Sequence, residues 1–288
     1  MPLVMADIDT DVRYACVDGV ATITIDSAPV NALSVAVRSG LLRAFTRARA
    51  DEDARAVILT GRGKGFCAGG DIREFGTPAA AASPGLSMHV HPMIESMSKP
   101  VIAAIHGMAV GGGLETALVC HYRVVEADAR IGLPEVALGT IPLSGTQRLP
   151  RALDLRRAID MILSARMEPA SAFAGTALFD RIVGHGQALT SAVQLAHALV
   201  ERNDISLPLI RHLPVVTNHT AKVLEEARAY LIGQEVGSAV HAQALVAIGA
   251  AVECVDFETG MKTARAIYDA LMASDEVRIR RERFLNRK

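Results

Sequence analysis

Residues 99–142 constrain the fold more than any other stretch, because they join a buried-strand pattern to a glycine run and two glutamates. The apolar run at residues 101–105 predicts a strand, and glycines at 107 and 111–113 follow it. This pattern predicts a helix that begins at the glycines and carries Glu115 in its first turns. A short pair of strands is predicted next, and Glu135 follows them.

Both glutamates have mostly apolar neighbours in the sequence: GGLETAL surrounds Glu115 and GLPEVAL surrounds Glu135. Burial of a carboxyl group among apolar side chains disfavours its charged form and raises its pKa. Two such carboxyl groups in one pocket could exchange protons near neutral pH. The sequence therefore predicts a general acid/base pair, Glu115 and Glu135.

A second glycine cluster precedes this stretch. The apolar run at residues 56–60 predicts a strand buried on both faces, and residues 61–75, GRGKGFCAGGDIREF, follow it. Glycines let a ligand approach the main chain closely, and a helix N-terminus adds unpaired N–H groups. Two strand–glycine–helix units side by side are therefore predicted to aim N–H donors at one point.

The remaining patterns divide the chain into an αβ part at residues 1–205 and a helical part at residues 206–288. Asp18-Gly19 within residues 12–25 predicts a tight β-hairpin, and Ser34 is placed as the N-cap of a helix over residues 35–50. Residues 76–98 predict a loop rich in small residues, and residues 221–230, 240–252 and 261–272 predict helices. Arg148, Arg151, Arg156 and Arg157 form a basic cluster, interpreted as a solvated helix face.

Charge and composition limit the possible partners. The chain has 30 Lys+Arg against 31 Asp+Glu, no tryptophan and few other aromatic residues, which argues against nucleic-acid binding. Residues 101–120 contain a histidine, a glutamate and four glycines and make a poor membrane span. Without a signal-peptide pattern at residues 1–10, a cytoplasmic protein with free thiols is predicted. No metal site is predicted from His89 and His91. The cysteines are Cys16, Cys67, Cys120 and Cys254.

Five separated motifs give the chain a family resemblance. VATITIDSAPVNALS, GFCAGGDIREF, KPVIAAIHGMAVGGGLE, LPEVALGTIP and TQRLPR occur in this order, and together they resemble the enoyl-CoA hydratase/isomerase (crotonase) family over about residues 12–190. The resemblance implies an α/β fold, a spiral of ββα units with a C-terminal helical region that supports homotrimers or hexamers. The last residues resemble the end of the hydratase half of multifunctional β-oxidation enzymes, so a stand-alone hydratase-type protein is expected.

The resemblance also implies a site for an acyl-CoA thioester. By motif position, the backbone N–H groups of Gly70 and Gly112 would form an oxyanion hole, and Glu115 and Glu135 would be the catalytic pair of an enoyl-CoA hydratase. The substrate and its CoA part would contact Lys64, Ala68, Asp71, Ile72 and Arg73. No metal and no redox cofactor is implied. The sequence departs from the family at Leu143, which replaces a glycine in a turn that is one residue shorter.

Other functions compete with this one. A 3,2-enoyl-CoA isomerase would use the same fold and needs only one carboxylate, whereas the presence of both glutamates favours hydration. A dinucleotide-binding module would need a third glycine where Thr116 stands, and no G-x-S-x-G motif supports a serine hydrolase. A non-catalytic RNA-binding relative would need a basic, aromatic face, for which only the cluster at residues 148–157 is available.

Overall fold

The computed structural model describes residues 6–202, 206–215, 219–233 and 239–286. The described residues form two compact units. The first comprises those within Met1–Asp71, Ala81–Ile131 and Glu168–Leu209, and the second those within Ile72–Ala80, Gly132–Met167 and Ile210–Lys288. Both units are discontinuous in sequence. The division predicted near residue 205 stays a prediction.

The strands and helices are numbered in chain order. The strands are β1 Ala6–Asp9, β2 Val12–Val17, β3 Val20–Ile25, β4 Ala56–Gly61, β5 Val101–Ile105, β6 Met108–Val110, β7 Tyr122–Glu126, β8 Arg130–Gly132, β9 Glu168–Pro169 and β10 Arg181–Val183. The α-helices are α1 Val35–Ala50, α2 His91–Glu95, α3 Gly112–Leu118, α4 Gly145–Ala152, α5 Leu155–Ser164, α6 Ala188–Val200, α7 Thr220–Gly233, α8 Ala239–Glu253, α9 Phe257–Met272 and α10 Asp275–Leu285.

A seven-stranded sheet forms the core of the first unit, in the order β1-β2-β3-β4-β5-β7-β10. The first three strands are antiparallel, and every pairing from β3 to β10 is parallel. Helix α6 packs against one face of these parallel strands. Strands β4 and β5 are buried completely, except for the last residue of β4. The carboxyl ends of β4 and β5 therefore lie at the same edge, and both glycine-rich segments leave the sheet there.

Local signals in the sequence explain the first elements. Asp18 and Gly19 both adopt positive φ, which gives the tight turn of the β2–β3 hairpin the twist that antiparallel strands need. The Ser34 side chain accepts a hydrogen bond from the Val37 N–H and caps α1. The hairpin, the α1 helix and the two buried strands are confirmed.

The two short strands predicted after α3 are present, but the prediction that they pair with each other is wrong. Strand β7 pairs with β5 and β10 in the large sheet, whereas β8 lies between β6 and β9 in a three-stranded sheet. The two strands are close in sequence, but the Ala129 N–H donates to the Glu126 carbonyl and forms a turn between them. This turn directs the chain away from the first sheet.

The second unit is mainly helical. The predicted helices over residues 221–230, 240–252 and 261–272 are confirmed as α7, α8 and α9. Asp256 caps α9 by accepting the Thr259 N–H, and Ser274 caps α10 by accepting the Val277 N–H. Within the described ranges, no helix combines the length and apolarity that a membrane span requires.

The basic cluster at residues 148–157 is only partly a solvated face, so that interpretation is wrong for Arg148. Arg148 is 3% exposed, and its guanidinium carbon lies 4.8 Å from the centre of the Phe257 ring. Arg151 and Arg211 contact the same ring. Since cations are attracted to aromatic faces, one phenylalanine holds three arginines in the second unit.

Candidate active site

The two glycine-rich segments lie side by side in the first unit. Cys67 bridges to Ala109: its N–H donates to the Met108 carbonyl at 3.1 Å, and its carbonyl accepts the Val110 N–H at 3.0 Å. Glycine is required where they approach most closely, because a Cβ at Gly107 would lie 2.1 Å from the Lys64 carbonyl oxygen. Gly107 also has a φ of +60°, which other residues rarely adopt.

Gly70 and Gly112, the predicted oxyanion-hole residues, are brought together by this arrangement. A Cβ built on Gly112 would lie 3.5 Å from the Gly70 nitrogen, and one on Gly69 would lie 3.2 Å from the Gly112 nitrogen. The Leu33 N–H donates to the Gly69 carbonyl and fixes the turn before Gly70. Gly112 begins α3, so its N–H is one of those that lack an acceptor within the helix. In the described part of the chain, neither of these two N–H groups donates to another protein group.

Asn31 supports the start of the first glycine-rich segment, at residues 62–65, and sequence reasoning did not identify it as a site residue. Its side-chain nitrogen donates to the Arg62 carbonyl at 2.9 Å and to the Gly65 carbonyl at 2.8 Å, and its side-chain oxygen accepts the Ser27 N–H. Asn31 is 2% exposed and has a φ of +57°. Asparagine next to a proline-containing break was the available signal, because it tolerates this conformation better than most residues.

Glu115 lies in the first turn of α3 and is 6% exposed. Its N–H donates to the Gly111 carbonyl at 2.9 Å, so the glycine turn fixes the backbone that carries it. Next to it, the Thr116 hydroxyl donates to the Gly112 carbonyl at 2.7 Å and lies 3.2 Å from His91 Nε2. Because that hydroxyl hydrogen is already used, His91 Nε2 carries the proton in this pair.

Glu135 belongs to the second unit, where it begins a 3-10 helix, Glu135–Leu138. The residue is half-buried. Its backbone carbonyl accepts the Thr140 N–H at 3.1 Å, and Gly139 ends the short helix with a φ of +86°. The raised pKa expected for Glu115 and Glu135 stays a prediction.

The residues predicted to contact the CoA part are divided between the two units. Lys64 is exposed, Ala68 donates its N–H to the Val30 carbonyl, and Asp71 is 7% exposed in the first unit. Ile72 and Arg73 lie in the second unit. There, both backbone carbonyls accept hydrogen bonds from Arg281, at 3.1 and 2.8 Å.

The shortened turn at Leu143 leads directly into α4. Leu143 is buried, and its carbonyl accepts the Thr146 hydroxyl at 2.9 Å. Thr146 also donates its N–H to the Pro142 carbonyl. Two bonds from a single threonine thus fix the turn, although it has fewer glycines than the family pattern.

One other group of side chains in the described ranges could hold a metal ion. Glu126 is the last residue of β7, Asp128 lies two residues further on, and His185 follows the neighbouring parallel strand β10. His185 Nδ1 lies 3.0 Å from the Asp128 carboxylate and 3.5 Å from that of Glu126. Since His185 and Asp128 are largely exposed, a surface hydrogen bond between them accounts for the arrangement.

A cavity of about 570 Å³ lies among α5, α7 and α8 in the second unit. Its lining includes Ile159, Leu163, Val223 and two ion pairs, Arg156–Glu226 and Arg166–Asp160. None of the predicted site residues lines it. The cavity is therefore separate from the predicted chemistry.

The fold and the paired glycine segments define a crotonase-type α/β protein. The chain belongs to the enoyl-CoA hydratase/isomerase family, whose model matches residues 16–245. The similarity includes every predicted site residue, from Lys64 to Glu135. The family resemblance and the predicted fold class are thereby confirmed.

Individual relatives agree with this assignment. The chain is 33% identical to the peroxisomal bifunctional enzyme of Homo sapiens over 266 residues, which are 91% of this chain and 36% of that protein. It is 43% identical to a probable enoyl-CoA hydratase of Bacillus subtilis over 157 residues, or 53% of this chain and 60% of that one. The solved carnitinyl-CoA hydratase of Mycobacterium avium has a TM-score of 0.69 at 26% identity, with 96% and 95% of the two chains covered.

The comparisons also show how much of each relative is matched. The chain spans between 21% and 37% of the length of the peroxisomal bifunctional and multifunctional relatives it matches. Because these relatives are named as peroxisomal, the cytoplasmic location stays a prediction.

Proposed function

We propose that this chain is an enoyl-CoA hydratase, which adds water across the 2,3-double bond of a trans-2-enoyl-CoA. The hydroxyl group of the water bonds to C3, one proton bonds to C2, and the double bond becomes a single bond. The observation that carries the proposal is the pair of N–H groups of Gly70 and Gly112, which lie close together beside a helix that presents buried Glu115. Relatives named as hydratases support the same reaction.

Attack of water on C3 places negative charge on the thioester oxygen. In the proposed reaction, the Gly70 and Gly112 N–H groups donate to that oxygen as the enolate forms. A preorganised donor of this kind typically contributes about 3 kcal/mol to transition-state stabilisation. Backbone donors suit this role, because they do not titrate and because the surrounding hydrogen bonds already hold them.

The two glutamates would move the protons. Glu115 takes a proton from the attacking water, and Glu135, protonated at the start, gives one to C2 of the enolate. Each positioned acid or base is worth about 10²–10⁴-fold in rate. Water supplies the atoms and the glutamates exchange only protons, so the proposed reaction uses no metal or redox cofactor.

The CoA part of the substrate is assigned to the segment from Lys64 to Arg73. Lys64 and Arg73 provide exposed cationic side chains for its phosphates, and Ala68, Asp71 and Ile72 are assigned to it by their positions in the family motif. The proposed assembly is a homotrimer or a hexamer built through the helical region. Its mass in solution, measured by light scattering, tests that assignment.

The test follows the loss of conjugated-thioester absorbance with trans-2-enoyl-CoAs of increasing chain length. Wild type is expected to hydrate at least one of them, and Glu115→Gln and Glu135→Gln are each expected to lower kcat by at least about 100-fold. Lys222→Gln, at an exposed position of α7, serves as the control. Full activity in either Glu115→Gln or Glu135→Gln would contradict the assigned roles.

The second candidate is a 3,2-enoyl-CoA isomerase, which shifts a double bond and needs one carboxylate. The observation in its favour is buried Leu143, which replaces a glycine in the turn after Glu135. A 3-enoyl-CoA assay on the wild type and the three variants separates the two activities. Isomerisation by the wild type that survives in Glu115→Gln, without hydration, would replace the hydratase assignment.

A further inference from the structure

Helix α10 holds the backbone that follows Glu135. The Arg280 guanidinium donates to the carbonyls of Val136 and Ala137, both at 3.3 Å. These carbonyls lie toward the C-terminal end of the 3-10 helix, where a positive charge is favourable. Gly139, which ends that helix, packs against the same arginine and against buried Val277.

Together these bonds fix successive carbonyls. The Glu135 carbonyl accepts the Thr140 N–H, the Val136 carbonyl accepts the Gly139 N–H and Arg280, and the Ala137 carbonyl accepts Arg280. Arg280 is oriented in turn by Glu276, one helical turn earlier, at 2.5 Å. The carboxylate of Glu276 therefore acts, through a single guanidinium group, on the two residues that follow Glu135.

The next residue of α10 holds a different segment. Arg281 donates through Nε to the Ile72 carbonyl and through a terminal nitrogen to the Arg73 carbonyl. One planar guanidinium group thereby bonds two consecutive peptide carbonyls, a geometry that lysine cannot reproduce. Both contacts lie within the second unit.

We propose that Arg280 and Arg281 are positioning residues with separate effects, an inference that rests on the proposed function. Arg280 holds Glu135 in the geometry that delivers a proton, so it acts on kcat. Arg281 holds Ile72 and Arg73 in the conformation that receives the CoA part, so it acts on substrate affinity. Neither side chain is assigned a contact with the reacting atoms.

The test compares Arg280→Met, Arg281→Met and a control on the same helix, Arg278→Met. Arg278 is exposed, and its ion pairs with Asp275 and Glu282 stay within α10. The control therefore removes one positive charge from the helix without removing a contact to either segment. Thermal unfolding of all three variants identifies any that fail to fold.

Arg280→Met is expected to lower kcat by roughly 10–100-fold with little change in KM, because small displacements of a catalytic group cost this much. Arg281→Met is expected to raise KM, and the Kd of the unreactive saturated thioester butanoyl-CoA, by about tenfold, with kcat retained. Arg278→Met keeps the wild-type values. Arg280→Lys restores part of kcat, because a lysine can bond one of the two carbonyls.

Two results would overturn the inference. One is that Arg280→Met and Arg281→Met behave like Arg278→Met in kcat, KM and Kd. The other is that folded Arg280→Met and Arg281→Met show the same mixed loss, without a division between kcat and affinity.

An inactive wild type refutes the proposed function but leaves this inference testable. Butanoyl-CoA affinity still reports on Arg281. Hydrogen exchange at the Gly139 and Thr140 amides still reports on Arg280: exchange that is faster in Arg280→Met than in Arg278→Met supports the inference, and unchanged exchange refutes it.

Discussion

Adjacent glycines at the start of α3 should respond in opposite ways to the addition of one methyl group. In Gly112→Ala, the two nearest neighbours of the new carbon would be the ends of flexible side chains, Leu86 Cδ2 at 3.2 Å and Leu33 Cδ1 at 3.3 Å. In Gly113→Ala, it would meet the Cys67 carbonyl oxygen at 2.5 Å and the Cys67 Cβ at 2.8 Å. The leucine side chains near Gly112 can move, whereas the Cys67 carbonyl oxygen is part of the adjoining backbone and the Cys67 Cβ is attached directly to it.

The magnitudes follow from these distances. Alanine is favoured over glycine in a helix by about 1 kcal/mol, which offsets the slight crowding at Gly112, so stability should change by less than about 1 kcal/mol. Overpacking against backbone should cost Gly113→Ala about 3 kcal/mol of unfolding free energy. The methyl at Gly112 would nevertheless lie 3.5 Å from the Gly70 nitrogen, in space that an accepting oxygen needs. Loss of one donor there lowers kcat by about 10²–10³-fold.

Urea denaturation and the enoyl-CoA hydration assay, run on both variants, measure the two effects separately. The expected result is a stable, nearly inactive Gly112→Ala and a destabilised Gly113→Ala. Wild-type kcat in Gly112→Ala would refute the oxyanion-hole role of the two N–H groups. Unchanged stability in Gly113→Ala would refute the close approach of α3 to Cys67.

Other perturbations test the surrounding structure. Asn31→Asp keeps the side-chain shape but removes the N–H groups that bond one buried and one partly buried loop carbonyl, so urea denaturation should show a loss of about 2–4 kcal/mol. Burial, with a smaller effect of nearby Arg123, lowers the pKa of His121 from 6.5 to about 4. As the pH falls, the unfolded protein therefore binds a proton at this histidine before the folded protein does. About 3 kcal/mol of stability that is present above pH 6.5 should be lost as the pH falls toward 4. In urea titrations, His121→Asn should lack this dependence of stability on pH. Burial raises the pKa of the Cys67 and Cys120 thiols to about 12, so iodoacetamide at pH 8 should alkylate them only after unfolding. Alkylation of either thiol at the same rate in the folded protein would contradict its burial.

The sequence was sufficient where short-range chemistry determines the structure. Asp18-Gly19 predicts its turn because few residue pairs adopt two consecutive positive φ angles, and Ser34 predicts the start of α1 because its hydroxyl can cap a free N–H. The apolar runs predicted strands buried on both faces, since polar backbone there must pair within a sheet. The side-by-side placement of the two glycine-rich segments followed from the same pattern, because parallel strands release both segments at one edge, whereas Gly70 and Gly112 were assigned by the family resemblance.

Long-range packing explains what the sequence did not predict. The burial of Arg148 depends on Phe257, which lies more than a hundred residues away and offers its ring to three arginines. The separation of β7 and β8 into different sheets depends on strand partners that come later in the chain. The support that α10 gives to Val136 spans 144 residues, and no local pattern encodes it.

The discontinuous units also set an order for folding during synthesis. All segments of the first unit have been made once residue 209 is added, but Ile72 and Arg73 must wait for Arg281, across 209 residues. At about 5–20 residues per second, the final helices follow roughly 4–15 s later. During that interval the Glu135 segment has been synthesised but its arginine has not. A pause in translation after residue 209 should therefore leave this segment open to proteases, while the strands of the first unit are already protected.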